Sequence, residues 1–310
     1  MRKVQVSDPN RLYRLRKLNS AKVQAFSDTA SSTLLKYVKA FPTVEALHPF
    51  YRELVDIGIG VDELRIALAR VQGAAETLSS IGRRKAREIM RMQSQEEMMA
   101  AQREALGRMT SVLRKAREPL EVLSRAREYF RSLPEIDPEI PTVIVAGYPN
   151  VGKSQLTRAL STAKPEVSSY PFTTKGVTVG VFEVGRRRIQ VVDTPGLLDR
   201  APERRNEIER KAAAALKHLG GIVLYLIDPT ERCGYPVEEQ ISLLQKLAGE
   251  FPWMRFFVVA TKSDLMEGKF DDKLGELGID GERLLGVGVV SAVSGEGIEE
   301  LKNALGHLLL

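Results

Sequence analysis

Three prolines within eight residues, Pro134, Pro138 and Pro141 in "LPEIDPEIPTV", set the firmest limit on how this chain can fold. Each proline fixes φ and removes a backbone donor, so no helix propagates through the stretch. It reads as a short, stiff connection. The hydrophobic pattern differs on its two sides, which divides the chain into residues 1–138 and 139–310.

Before the prolines almost nothing reads as strand. Leu106, Met109, Leu113, Ala116, Leu120 and Leu123 alternate steps of three and four, the seam of a helix packed on other helices. Pro119 predicts a kink there, or a break between two helices. A second helix is predicted over Val61 to Met90, and a basic third within Pro9 to Ala40, stopped by Pro42. The expected domain is an all-α helical bundle with its longest members antiparallel.

After the prolines strands and helices alternate, the pattern of an α/β domain. The predicted strands are Thr142–Ala146, Val177–Val184, Arg188–Val192, Ile222–Asp228, Phe256–Ala260 and Leu285–Val290. Gly185 and Arg186 leave a hairpin-sized gap, so the second and third pair antiparallel. The other connections are helix-length and imply right-handed crossovers. The expectation is a P-loop α/β domain built on a mostly parallel six-stranded sheet with one antiparallel edge strand. Its ligand belongs at the carboxyl ends of the strands.

Four motifs fall at those ends. "GYPNVGKS" follows the first strand and opens a helix. Gly147 and Gly152 permit turns that aim several N–H groups into one anion nest. Lys153 would reach the β- and γ-phosphates and Ser154 would ligate Mg²⁺. "VVDTPG" puts Asp193 where a carboxylate holds a Mg²⁺ water, and Gly196 N–H where it senses a γ-phosphate. "YPFTTKG" offers Thr174 to complete the Mg²⁺ shell. "VVATKSD" places Asp264 to accept guanine N1–H and N2–H, a pair adenine cannot offer. "VSAVSGEG" brings Ala292 N–H to guanine O6. The GTP-binding set is Asn150, Val151, Gly152, Lys153, Ser154, Gln155, Thr261, Lys262, Asp264, Ser291, Ala292 and Val293. The Mg²⁺ ligands are Ser154, Thr174 and, through water, Asp193. Lys153, Thr174, Gly196 and Asn150 are the candidate catalytic residues. Each motif alone also reads as a turn or a helix cap; their number and order decide for the nucleotide.

Composition narrows the field further. A single cysteine, Cys233, excludes disulfide scaffolds and CxxC metal sites, and three scattered histidines suggest no metal centre. No apolar run approaches the length of a membrane span, and the basic N-terminus lacks the apolar core of a signal peptide. The expected setting is cytoplasmic, without a membrane and as a monomer. Much of the net charge of +6 lies at the start, where Arg2, Lys3, Arg11, Arg14, Arg16, Lys17 and Lys22 face only Asp8. That cluster reads either as a polyanion-binding surface or as a solvated helix face.

Over residues 142–310 the motifs closely resemble GTPases. "HPFYREL", "ALGRM", "LPEIDPEIPTVIVAGYPNVGKS", "YPFTTKGVTVG", "VVDTPGLLD" and "LYLIDPTERCGYPVEEQ" narrow the resemblance to the nucleolar GTP-binding protein subfamily of the Obg-like GTPases. It implies a GTP-hydrolysing factor in large ribosomal subunit assembly that contacts ribosomal RNA and ribosomal proteins. The chain ends after the helix "GIEELKNALGHLLL", so the resemblance is to the compact archaeal type. An alternative is a regulatory GTPase that docks a protein partner through its helical domain, without RNA.

Ras-type GTPases carry a glutamine after the DxxG glycine; here Leu197 stands there and cannot align water. It either caps an apolar patch beside slow catalysis, or leaves a catalytic element to come from elsewhere. Asn150 in "GxPNxGKS" resembles potassium-activated GTPases, which makes K⁺ a candidate activator; asparagine is equally a good turn residue. Arg200, Arg204 and Arg205, beside the γ-phosphate sensor, are expected to couple nucleotide state to a polyanionic partner.

Overall fold

The computed structural model describes residues 9–168, 170, 176–199, 205–266 and 281–309. They form two compact units, residues 1–47 with 59–129, and residues 48–58 with 130–310.

The helical unit is built on α1 (Arg11–Lys39) and α3 (Val61–Ile89), 29 residues each. Ser20 Oγ donates to Ala86 O and Ser27 Oγ to Leu78 O. Partner numbers fall along α3 as they rise along α1, so the pair is antiparallel as expected. Gly82 permits the approach: a Cβ there would lie 2.2 Å from Ser27 Oγ. α4 (Gln95–Lys115) starts at a Ser94–Glu97 capping box, and Lys85, almost wholly buried, ties α3 to α4 through Glu104 at 2.7 Å.

The kink-or-break at Pro119 is resolved as a break. α4 stops at Lys115, and Pro119 sits in the first turn of α5 (Arg117–Ser132), where a missing N–H costs nothing. The seam differs from the predicted stripe. Ala101, Ala105, Met109, Ala116, Leu123 and Ala126 are buried, whereas Leu106, Leu113 and Leu120 are only half-buried. Small side chains let the helices come close, and that displaces the larger leucines toward the flank.

In the second unit β1 (Thr142–Ala146), β3 (Val177–Val184), β4 (Arg187–Asp193), β5 (Ile222–Ile227), β6 (Phe256–Ala260) and β7 (Leu284–Val289) match the predicted strands within a residue. The sheet has seven strands, however, in the order β2-β3-β4-β1-β5-β6-β7. The additional β2 (Glu166–Ser168) is too short and exposed to leave an alternating pattern. It pairs antiparallel with β3, which pairs antiparallel with β4, so the antiparallel strand lies one place in from the edge. All other pairings are parallel.

β1 and β5 are buried along their whole lengths because both faces are covered. Ile144 and Ala146 face a core shared with α7 (Glu207–Ala215) and α8 (Val237–Glu250). Val143 and Val145 face α6 (Lys153–Leu160) and α9 (Ile298–Leu309). The first core also takes Phe50 and Leu54 from α2 (Pro49–Gly58), a helix the pattern did not predict. Tyr51 Oη donates to Ile136 O, and Glu53 meets His218 Nε2 at 2.6 Å. Among the described residues no helix is long and apolar enough to cross a membrane.

Candidate functional site

β1 lies between β4 and β5, and the chain leaves it toward opposite sides of the sheet. This switch point is where open α/β sheets hold ligands. The loop 147–152 fills it. Gly147 has φ +135°, and a Cβ there would meet Leu226 O at 2.6 Å, so only glycine fits. Asn150 (φ +64°) and Gly152 (φ +101°) also take left-handed conformations, and Gly152 caps α6 without a side-chain bond. The N–H groups of the first turn are therefore left to face an anion.

Lys153 is buried and spans the loop, donating to Gly147 O at 2.8 Å and Tyr148 O at 2.7 Å. At the next residue, Ser154 Oγ donates to Asp193 Oδ2 at 2.6 Å. Asp193 is fully buried at the end of β4, and its Oδ1 has no hydrogen-bond partner among the described residues. Burial pushes its carboxyl above the ordinary aspartate value, against the Ser154 hydrogen bond and the Lys153 charge, which pull it down. Gly196 (φ +82°) points its N–H at Asp199 Oδ2, 2.8 Å away.

The second cluster surrounds a cavity of about 230 Å³. Val151, Gly152 and Gln155 line it from the glycine loop and α6, Thr261, Lys262 and Asp264 from beyond β6, and Ser291, Ala292 and Val293 from beyond β7. Thr261 Oγ1 donates to Val151 O at 2.7 Å and fastens the two sides together. Asp264 Oδ1 accepts from the buried Ser291 hydroxyl, which itself accepts from the N–H groups of Val293 and Ser294.

Nine of the predicted GTP-binding residues thus share one cavity. Lys153 and Ser154 gather instead around the loop and Asp193, with Asn150 in the loop itself. Thr174, Arg200 and Arg204 lie outside the described residues. Leu197 is fully buried in the apolar cluster that includes Ile144, Ala212 and Leu216, which is compatible with either reading of its role. Arg205 corrects an expectation: its guanidinium is inaccessible, paired with Glu250 at 2.8 Å and set over the Phe251 ring. A cation already paired in the interior cannot greet a polyanion.

Two residues went unpredicted. Asp228, fully buried after β5, holds Lys262 Nζ at 2.6 Å and accepts from Thr230 and the Cys233 N–H. Burial pushes its carboxyl up, but the hydrogen bonds from Lys262 and Thr230 outweigh burial and hold it below the usual value. This anchor supports Lys262 in its left-handed conformation, φ +62°. Arg232, in the same turn, lines the cavity. The only local signal was an aspartate directly after an apolar run. Cys233 and Tyr235 pack inward, the thiol near Tyr235 O and the Tyr235 ring 4.3 Å from Tyr148.

Residues 2–137 match the family described as NOG1 N-terminal helical domain, and residues 142–262 match the 50S ribosome-binding GTPase family. An uncharacterized protein of Methanocaldococcus jannaschii is 37% identical over 256 residues, covering 83% of this chain and 71% of that one. Nucleolar GTP-binding protein 1 of Saccharomyces cerevisiae is 37% identical over 229 residues, 74% of this chain and 35% of its own length. The chain spans 44% of the Candida glabrata protein of that name, at 34% identity. A crystal structure of a nucleolar GTP-binding protein 1 from Plasmodium falciparum aligns with 57% of this chain and 90% of its own, at 35% identity and a TM-score of 0.51.

Proposed function

Since the chain belongs to the nucleolar GTP-binding protein 1 family and carries its GTPase domain, we propose that it is a GTP-driven switch in assembly of the large ribosomal subunit. The observation that carries the switch is Asp193: a fully buried carboxylate with one oxygen unpartnered, beside Ser154 and Lys153. A site that buries an unpaired oxygen at a cost in stability is built to be completed by a ligand. The ribosomal part is supported by the match of residues 142–262 to the 50S ribosome-binding GTPase family and by the nucleolar names of the relatives.

In this reading Lys153 exchanges the carbonyls of Gly147 and Tyr148 for the β- and γ-phosphates, and the loop amides hold the rest of the charge. Gly196 N–H turns from Asp199 to the γ-phosphate. Asp264 accepts N1–H and N2–H of guanine, with Ala292 N–H on O6. Ser154 Oγ and Asp193 form a hard-oxygen donor pair that fits Mg²⁺, which when bound would neutralise charge on the phosphoryl oxygens. Thr174 would complete that shell.

Leu197 cannot orient a water, so catalysis draws on another element. Asn150 supplies it: its carboxamide makes no hydrogen bond with the described residues and its oxygen suits K⁺. Turnover of GTP is expected to be several-fold faster in KCl than in NaCl at equal ionic strength, and equal rates would remove Asn150 from the mechanism.

The functional proposal is tested by co-sedimentation with purified large subunits or their precursors, in GDP, GTP and a non-hydrolysable analogue at two salt concentrations. Binding that depends on the γ-phosphate is expected. Absence of binding in every nucleotide state, with hydrolysis intact, would replace the ribosome by a protein partner.

A further inference from the structure

The helical unit carries an open groove, about 1140 Å³, along the C-terminal half of α3 and the turn into α4. Arg83, Arg84, Arg87 and Arg91 line it, all exposed. Arg84 and Arg87 stand a step of three apart on α3, a rise of about 4.5 Å, and Arg91 follows in the turn after the helix ends at Ile89. We propose that this groove is the RNA-binding surface of the protein, gripping the phosphodiester backbone through these arginines. The inference rests on the ribosomal reading and locates its contact.

Three observations favour the groove over the basic start of α1, which the sequence left open as a polyanion surface or a solvated helix face. The first is availability. None of the four arginines forms an ion pair among the described residues; Arg83 reaches only its own helix, at Ser79 O. Elsewhere in the unit Arg65, Arg108, Arg117 and Arg125 are each matched to a carboxylate. On α1, Arg16 is spent on Met92 O and Gln93 Oε1, both at 2.7 Å, and Lys17 lies over the Tyr13 ring.

The second is what has become of the acids. Glu88 and Glu97 also line the groove, yet Glu88 is held by Lys85 at 3.0 Å and Glu97 accepts from Ser94 N–H in the capping box. Glu88 is partly offset by Lys85 and Glu97 keeps its charge, so the four arginines outnumber two carboxylates on the groove. The third is rigidity. Arg16 of α1 clamps the turn that forms the groove's far wall, and Lys85 clamps α3 to α4 from beneath, so the arginines stand on a fixed frame.

A helix C-terminus attracts cations on its own account. That accounts for Arg87 in the last turn and Arg91 just beyond it, but not for Arg83 and Arg84, more than a turn before the end. Nor does it account for the use of arginine throughout, whose planar fork suits phosphate better than an ammonium does. RNA is favoured over an acidic protein because Met92 is the one apolar residue among those lining the groove, which offers charge but no cluster of apolar side chains. Protein interface cores need buried apolar anchors.

The test measures affinity of the full chain for a fluorescent ribosomal RNA fragment and an unrelated RNA of equal length, across a salt series. For Arg84→Gln/Arg87→Gln/Arg91→Gln, affinity should fall at least about tenfold for both RNAs. The slope of log affinity against log salt should become shallower by about 2 to 3, since each phosphate contact contributes about 0.7 to 0.9. The matching lysine triple variant should keep the slope. Arg11→Gln/Arg14→Gln/Lys17→Gln should lose less than the groove variant. GTP turnover and the melting temperature should be unchanged in all three, which separates lost contacts from lost folding. Equal affinity and slope in the groove variant, or a larger loss in the α1 variant, would overturn the inference. So would loss of subunit co-sedimentation with free RNA binding intact, because the partner would then be a protein. If the wild-type chain binds no RNA at all, the RNA contact of the ribosomal reading fails first, and the groove with it.

Discussion

Asp264→Asn is expected to weaken binding of GTP and GDP at least about a hundredfold, and to improve binding of xanthosine nucleotides. The carboxylate stands in the cavity with one oxygen on the Ser291 hydroxyl, which fixes its plane. Guanine would bring two donors, N1–H and N2–H, to its acceptors. An asparagine amide replaces an acceptor by a donor, so an NH₂ would confront N–H. Each buried donor left unpaired costs about 1–3 kcal/mol, and sites built on such pairs discriminate by several orders of magnitude. Xanthine carries a carbonyl where guanine carries its amino group, which restores the pair. Titration with fluorescent guanosine and xanthosine diphosphates reads both changes. Unaltered guanine affinity would mean that the base does not lie against Asp264.

The second large effect is expected at Asp193, where Asn should lower GTP turnover at least about a hundredfold, the scale of losing one preorganised electrostatic group. It should also make nucleotide affinity indifferent to Mg²⁺. The same change should raise the melting temperature of the nucleotide-free protein at neutral pH. Asp193 is buried with Oδ1 unpartnered, and burial lifts its carboxyl above 3.8. Between 3.8 and that raised value the folded chain binds more protons than the unfolded one, so stability falls as pH rises through the interval. The Asn variant escapes this loss, and its advantage should vanish as pH drops below the interval. A paired structural aspartate gives the opposite sign. Asp228, held below the ordinary value by Lys262 and Thr230, contributes stability above 3.8 that is lost as pH falls through its lowered value. A variant less stable than wild type at neutral pH would show that Asp193 serves the fold and not the ligand.

The nucleotide motifs were legible because their chemistry is local. A glycine loop needs its glycines at fixed offsets, and its strand and helix flank it directly. Six strands were legible because β1, β5 and β6 are continuous apolar runs between turn residues. β2 was not, since Glu166–Ser168 has neither length nor a buried face. α2 escaped for another reason. Its ten residues have an apolar side, Phe50, Leu54 and Val55, but it joins a core assembled from residues far along the chain, such as Tyr170 and Leu216. Its spacing is helical, but ten residues are too few for the period to stand out in the sequence. The helical seam shows the same limit, because leucine spacing marked the right helices but alanine burial decided which stripe faces inward. Charge was the least legible property. Arg205 reads as a surface cation beside the nucleotide loop until Glu250 is found against it. The groove arginines of α3 read as ordinary helix residues until their lack of ion pairs among the described residues is seen.

Asp199 gives the site a further property. One amide hydrogen serves one strong acceptor well, and in the ligand-free chain the Gly196 N–H is already engaged by the protein's own carboxylate. On the proposed nucleotide reading, an arriving terminal phosphate would compete with an anion tethered three residues away, at high effective concentration and with no translational entropy to lose. When that phosphate departs, no donor is stranded, because the tether refills the position. The empty and spent forms share an internal counterfeit of the missing group, and the loaded form is the one in which the counterfeit is expelled.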